Sequence, residues 1–210
     1  MPKLQTNCEN YCRLGYGLSA GLPRNYCVPM VMQIEQHRLI EALQVNSPNQ
    51  SERPSTAIIN LLVIHNISLP PGEFGTGYVR QLFCNELDCS IHPDFAGLTG
   101  LKVSSHLLIE RNGGLIQFVA FDQKAWHAGI SEFCGIKDCN DFSIGIELEG
   151  TDSETFTDEQ YKSLKDSTRV LIKHYPGLHA GRIVGHSDIA PGRKTDPGPC
   201  FDWQRYLDAL

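Results

Sequence analysis

The order of apolar and polar positions divides the chain into short elements separated by glycine- and proline-bearing turns. A near-continuous apolar run, Ile58-Ile59-Asn60-Leu61-Leu62-Val63-Ile64, leads into His65-Asn66 and the turn Leu69-Pro70-Pro71-Gly72. A run without alternation predicts a strand covered on both faces, here with a histidine at its carboxyl end. Residues 103–109 and 115–120 predict two strands joined by a hairpin at Asn112-Gly113, because Asn-Gly accepts the positive φ angles of a tight turn. Residues 142–149 alternate: Ile144, Ile146 and Leu148 share one face, Ser143, Gly145, Glu147 and Glu149 the other. A short strand over 183–185 runs into His186. Helical spacing is clearest over 157–175, where Thr157 is an N-cap, Gln160 completes a capping box, and Tyr161, Leu164, Thr168, Leu171 and Ile172 form one stripe. Shorter helices are predicted over 76–84 and 200–209, and a short helix or strand over 32–44. Residues 46–56, 88–100 and 122–140 read as loops. The order β, ββ, β, α, β, α predicts an α/β (α+β) fold: a single domain with a mixed central β-sheet flanked by helices.

Composition narrows the function classes. With 210 residues, 41% of them hydrophobic, the chain can bury one sizeable core. Its 18 basic and 24 acidic residues give a net charge of −6, which argues against a nucleic-acid partner, since such proteins present a basic face. No stretch approaches the roughly 20 apolar residues of a membrane helix, so no membrane partner is expected. Residues 1–31 lack periodicity and carry Cys8, Cys12 and Cys27. They read as a disordered extension ahead of a catalytic domain over 32–210, with Met30 and Met32 as alternative starts. Residues 14–22 hold three glycines after a polar opening, a poor match to a secretory signal, so the expected location is cytoplasmic. Eight cysteines permit a disulfide framework, but a chain of this length does not need one. Free thiols are expected, and the spacings are not those of a zinc ribbon.

The chemistry gathers in the loop from His186 through Asp188, Pro191, Arg193, Lys194 and Asp196 to Pro199. Prolines and glycines stiffen and turn such a loop, so it can hold side chains in place without regular structure. Of the eight histidines, His37, His92, His174 and His179 read as solvated. His65, His106, His127 and His186 lie in or beside apolar strands and glycine-bearing loops. Three protein ligands of nitrogen and carboxylate type, with one position left for water, is the usual catalytic zinc arrangement. His65, His186 and Asp196 suit it, although spacing alone does not choose them over His106 or His127.

Four segments carry a resemblance: His65 to Gly72, Trp126-His127-Ala128-Gly129, Asn140 to Gly150, and His186 to Pro199. They resemble the zinc-dependent N-acetylmuramoyl-L-alanine amidases of the type 2 family, which also includes phage lysozymes of amidase type and peptidoglycan recognition proteins. More narrowly, they resemble its cytoplasmic AmpD branch of 1,6-anhydro-N-acetylmuramoyl-L-alanine amidases. The resemblance spans about residues 58 to 207 and implies a mixed sheet flanked by helices. It implies Zn2+ held by His65, His186 and Asp196, with Glu147 as catalytic carboxylate and Lys194 as the charge that meets the oxyanion. The implied reaction is hydrolysis of the amide between 1,6-anhydro-N-acetylmuramic acid and L-alanine in recycled muropeptides, by a monomer. Asn66, Lys102, Trp126 and His127 are candidate substrate-binding or outer-partner residues. Lys102 stands where the AmpD branch tends to have arginine, and Ile136-Lys137-Asp138 is less basic than that branch. The competing expectations are an exported amidase acting on intact wall, which would need residues 14–22 as a signal, and a non-catalytic muropeptide-binding module.

Overall fold

The structure, a computed structural model, describes residues 32–210. The expected disordered extension and the segment 14–22 lie outside the described residues. In chain order come β1 (Ile34–Glu35), β2 (Arg38–Leu39), β3 (Leu43–Gln44), β4 (Gln50–Glu52) and β5 (Leu61–Ile67). Then follow α1 (Tyr78–Phe83), β6 (Leu107–Ile109), β7 (Leu115–Gln117), β8 (Gln123–Ala125), β9 (Glu132–Phe133) and β10 (Ile136–Lys137). The last elements are β11 (Ser143–Glu149), α2 (Asp158–His174), β12 (Ile183–Gly185), α3 (His186–Ile189) and α4 (Trp203–Leu207).

Six strands form the central sheet in the order β12-β5-β11-β6-β7-β3. β12, β5, β11 and β6 run parallel, β6 and β7 antiparallel, and β7 and β3 parallel. The sheet is therefore mixed, as expected. Its parallel centre explains the run without alternation. Leu62, Ile64, Ile144, Ile146 and Leu148 pack with Tyr161, Leu164 and Leu171 of α2 in one core cluster. On the opposite face, Leu61 and Val63 pack with Ala128 and Ile189. The helix α2 is closed at its start by the expected capping box: the Gln160 amide donates to Thr157 Oγ1 and the Thr157 amide to Gln160 Oε1, both at 3.1 Å.

Register places the chemistry. His65 pairs with Glu147 across β5 and β11, and Gly185 pairs with Ile64 across β12 and β5. Three parallel strands thus end together at one edge, where α/β sheets commonly bind ligands.

Several elements differ from their predicted form. Residues 32–44 fold into three two-residue strands, because Gln36 and His37 adopt positive φ (45° and 60°), which breaks a helix. The expected loop over 46–56 contains β4, paired with β8 from the expected loop over 122–140. The strand expected from residue 58 begins at Leu61, because Ile58 is 68% exposed. The strand expected over 103–109 is regular only from Leu107. Ahead of it the Ser104 and Ser105 hydroxyls bond the carbonyls of Asn49 and Gly145, so side chains replace part of the ladder. The return strand stops at Gln117, although Phe118 and Val119 stay buried. Pro93–Leu98 forms a 3-10 turn within the expected loop, and the last helix shortens to Trp203–Leu207, capped by Asp202. The polar face of β11 is not a surface: Ser143, Glu147 and Glu149 are all buried.

Candidate active site

Three atoms converge beyond the carboxyl ends of β5 and β12. His65 Nδ1 lies 3.0 Å from His186 Nδ1 and 2.9 Å from Asp196 Oδ2, and His186 Nδ1 lies 3.0 Å from the same oxygen. Among the described residues this trio is the group able to hold a metal ion. Each member comes from a different local device. His65 is the fifth residue of β5 and is 1% exposed. His186 opens α3 directly after β12. Asp196 sits in the loop before Pro197, which the Ser187 amide ties down through the Asp196 carbonyl at 3.0 Å.

The protonation of the trio follows from its outer contacts. His186 Nε2 faces the Ala128 carbonyl at 3.0 Å, and a carbonyl only accepts. That nitrogen therefore carries the proton, and in the neutral ring Nδ1 presents a lone pair. His65 Nε2 lies 3.0 Å from His127 Nδ1, and His127 Nε2 lies 3.1 Å from Ser143 Oγ. With His65 Nε2 as donor to His127 and His127 Nε2 as donor to Ser143, one of the two directions these contacts allow, His65 Nδ1 is left bare as well. Two nitrogen lone pairs and a carboxylate oxygen then point at one place, an arrangement that could hold a cation. The separations of 2.9–3.0 Å are a few tenths of an ångström shorter than the roughly 3.3 Å edges of a tetrahedral zinc site with bonds of about 2.0–2.1 Å.

Burial tunes the surrounding groups. Burial pushes the His65 imidazole down to about 4, against the upward pull of the neighbouring Asp196 carboxylate, and so favours a neutral ring. Burial alone would raise the Asp196 carboxyl, but the facing imidazoles outweigh it and hold that group well below the usual carboxylate range. Glu147 goes the other way: burial, reinforced by the charge of Asp196 and opposed by Lys194, holds its carboxyl well above the ordinary value. Its Oε1 is 4.0 Å from His65 Nδ1, and its buried Oε2 has no hydrogen-bond partner. An unpaired buried carboxylate oxygen is costly to leave unmet. Lys194 is exposed on the same loop, its amide bonded to the Ala190 carbonyl at 3.0 Å.

The remaining candidates divide. Asn66 donates to Asp152 Oδ1 at 2.7 Å and to the Pro197 carbonyl at 3.1 Å, which ties β5 to the loop behind Asp196. His127 is buried with both ring nitrogens engaged. Trp126 is half-buried and donates through Nε1 to Ser51 Oγ at 3.3 Å. Lys102 is exposed beside a shallow cavity lined by Leu82, Leu98 and Leu101, and makes no contact with the trio. His106 also stays outside the trio. Its Nδ1 accepts from the Gly145 amide at 3.0 Å, so it acts as a ladder partner for β11. Sequence reasoning gave no role to Ala128, Ser143, Arg193 or Arg53. Arg193 Nη2 donates to the Ala128 carbonyl at 2.6 Å, and both residues lay inside motifs already singled out. Arg53 lay in an expected loop with no signal.

Fold and site together describe an α/β domain with a His-His-Asp cluster that could hold a metal ion, and whole-chain comparison places it. The chain belongs to the N-acetylmuramoyl-L-alanine amidase family, whose profile matches residues 54–199. It is 52% identical over 180 residues to the 1,6-anhydro-N-acetylmuramyl-L-alanine amidase AmpD of Haemophilus influenzae, covering 86% of this chain and 98% of that one. It is 53% identical over 175 residues to AmpD of Escherichia coli, covering 83% and 95%. A crystal structure of a selenomethionine AmpD derivative matches with a TM-score of 0.83 at 51% identity, covering 85% of this chain and 99% of that one. The resemblance drawn from four segments therefore extends over nearly the whole length of these relatives. Among the described residues, no helix is long and apolar enough to cross a membrane, and Cys84, Cys89, Cys134, Cys139 and Cys200 carry no disulfide.

Proposed function

We propose that the chain is a zinc-dependent amidase that hydrolyses the bond between 1,6-anhydro-N-acetylmuramic acid and L-alanine in muropeptides. We place it in peptidoglycan recycling, acting in the cytoplasm as a monomer, with residues 32–210 as the catalytic domain. The observation that carries the reading is the convergence of His65 Nδ1, His186 Nδ1 and Asp196 Oδ2 beside the unpartnered oxygen of Glu147. The substrate class rests on identity above 50% to AmpD proteins.

Zinc, when bound, polarises the scissile carbonyl and lowers the pKa of a coordinated water. Glu147 takes a proton from the attacking water as its oxygen bonds to the lactyl carbonyl carbon. It then delivers that proton to the departing α-amino group of L-alanine as the C–N bond breaks. Burial raises the Glu147 carboxyl above its ordinary value, so it holds a proton more tightly than a solvated carboxylate would. Lys194 meets the negative charge that develops on the carbonyl oxygen. The products are a lactyl carboxylate and a free peptide amine. Lys102 and Trp126 are assigned to the substrate side, Asn66 to the wall of the site, and His127 to the outer partner of His65.

The test is mass-spectrometric detection of free peptide from anhydro-muropeptide, with purified protein before and after zinc chelation. Peptide release that disappears on chelation and returns with zinc is expected, and Asp196→Ala should abolish it. Release by Asp196→Ala at the wild-type rate would sink the proposal.

A further inference from the structure

The two ligand histidines enter from different elements, β5 and α3, yet their outer nitrogens meet adjacent residues of one segment. His65 Nε2 meets His127 Nδ1, and His186 Nε2 meets the Ala128 carbonyl, each at 3.0 Å. That dipeptide belongs to no helix or strand. Its two amides point away from the histidines and both end on one atom: Asn140 Oδ1 accepts from the His127 amide at 3.1 Å and from the Ala128 amide at 2.8 Å. Two N–H donors require an oxygen, so the orientation of this amide side chain is fixed by its partners.

We propose that Asn140 is a positioning residue for the metal centre, a clasp that seats the acceptors of both ligand histidines and so leaves both Nδ1 lone pairs for the ion. The inference rests on reading His65, His186 and Asp196 as a zinc site. Ligating histidines depend on the partner of their second nitrogen for ring orientation and tautomer. Here one side chain sets both partners at once.

The clasp is itself anchored. Asn140 lies in a 3-10 turn, Cys139–Asp141, entered through Asp138 at φ 59°. Arg53 Nη1 donates to the carbonyls of Asn140 and Asp141, both at 3.0 Å, and Lys124 Nζ holds Asp141 Oδ1 at 2.9 Å. On the far side, Arg193 Nη2 donates to the Ala128 and Ile130 carbonyls at 2.6 and 2.7 Å. Gly129, at φ 58°, turns the chain between them. The segment is thus gripped by its amides from one side and its carbonyls from the other. An asparagine grips without adding a negative charge to the segment, while an aspartate would keep the acceptor geometry.

The experiment is zinc affinity of the full chain, measured by competition with a chromophoric chelator, alongside the melting temperature of each metal-free variant. Asn140→Ala should weaken zinc binding about 10- to 100-fold, and Asn140→Asp should restore most of it. An Asn140→Ala melting temperature at the wild-type level beside weakened zinc binding supports the clasp, whereas a loss of affinity that only follows a fall in melting temperature overturns it. Long-range 1H–15N NMR of the zinc-loaded wild type gives a readout independent of how the variants fold: both His65 and His186 should carry the proton on Nε2. Wild-type zinc affinity in Asn140→Ala overturns the clasp alone, whereas an Nδ1 proton on either histidine in the zinc-loaded chain overturns the Nδ1 ligand assignment and the clasp together. A wild-type chain that takes up no zinc overturns the metal reading and the clasp with it.

Discussion

Gly145 lies in the middle of β11, and a methyl group there tests how tightly the site is packed. A Cβ at this position would stand 2.5 Å from His127 Cγ, 2.6 Å from Nδ1 and 2.8 Å from Cδ2. Carbon atoms in contact sit about 3.5–4.0 Å apart, so either the ring or the strand must give by roughly 1 Å. The strand is held. The Gly145 amide donates to His106 Nδ1 at 3.0 Å, and its carbonyl accepts from the His106 amide at 3.1 Å and from Ser105 Oγ at 2.7 Å. The ring is held too, between His65 at 3.0 Å and Ser143 at 3.1 Å. Overpacking of this kind costs about 1–3 kcal/mol. At ~2–4 °C per kcal/mol for a chain of this size, Gly145→Ala should lower the melting temperature by about 2–12 °C. If the ring yields, His65 loses its outer partner, and a misplacement of about 1 Å near the chemistry costs roughly a hundredfold in rate. The assays are thermal melts of the metal-free protein and kcat/KM on anhydro-muropeptide. Pairing Gly145→Ala with His127→Ala isolates the contact: without the imidazole, the added methyl should cost less than about 0.5 kcal/mol, far from additive. Equal losses in both backgrounds, or an unchanged melt and rate in the single variant, would refute the reasoning.

Other groups give independent tests. Glu147→Gln keeps the shape of the side chain and removes its proton chemistry, so kcat should fall about 10²–10⁴-fold while zinc uptake stays at the wild-type level. Thr157→Ala removes the N-cap of α2 and should cost about 1 kcal/mol of stability; because the cap lies away from the trio, kcat should not change. His106 carries the pH prediction. Burial, reinforced by the charge of Arg53, holds its imidazole well below the ordinary value. Above about pH 6.5 it is neutral folded and unfolded, with no effect on stability. Below that, the unfolded chain takes up a proton that the folded chain refuses, so stability falls with pH by up to ~1.4 kcal/mol per unit. Urea melts between pH 7 and pH 5 should show a shallower decline in His106→Asn than in the wild type, and identical slopes would count against a neutral buried His106.

How far the chain could be read depended on whether an element's pattern is local. The strands β5 and β11 and the helix α2 were legible because each carries its own signal: an unbroken apolar run, a strict alternation, a capping box ahead of a stripe. The early segment 32–44 was not, because its turn at Gln36 and His37 uses left-handed backbone on residues that do not announce it. The pairing of β4 with β8 joins residues more than seventy apart in sequence, and neither partner has an alternation long enough to stand out. The stretch 103–106 reads as strand by composition, but its serine hydroxyls and the His106 imidazole take over hydrogen bonds that backbone would otherwise make.

The candidate site separates along the same line. Histidines at strand ends and an aspartate in a stiff loop are visible one at a time, and family motifs group them. What sequence does not display is the layer behind them. The Ala128 carbonyl has no side-chain identity at all, since any residue presents one. His127 was open to a substrate-side or an outer-partner role, and only the fold shows both its nitrogens engaged within the protein. Glu147 could have been a surface carboxylate; its burial follows only from the register that sets it beside His65. Asn140 shows the limit most sharply. Its neighbours in sequence form an unremarkable turn, and its importance comes from two amides twelve and thirteen residues upstream. Those amides matter because of two imidazoles on other elements. A site of this kind is chosen by its ligands but held by its surroundings, and the surroundings are written in tertiary contacts.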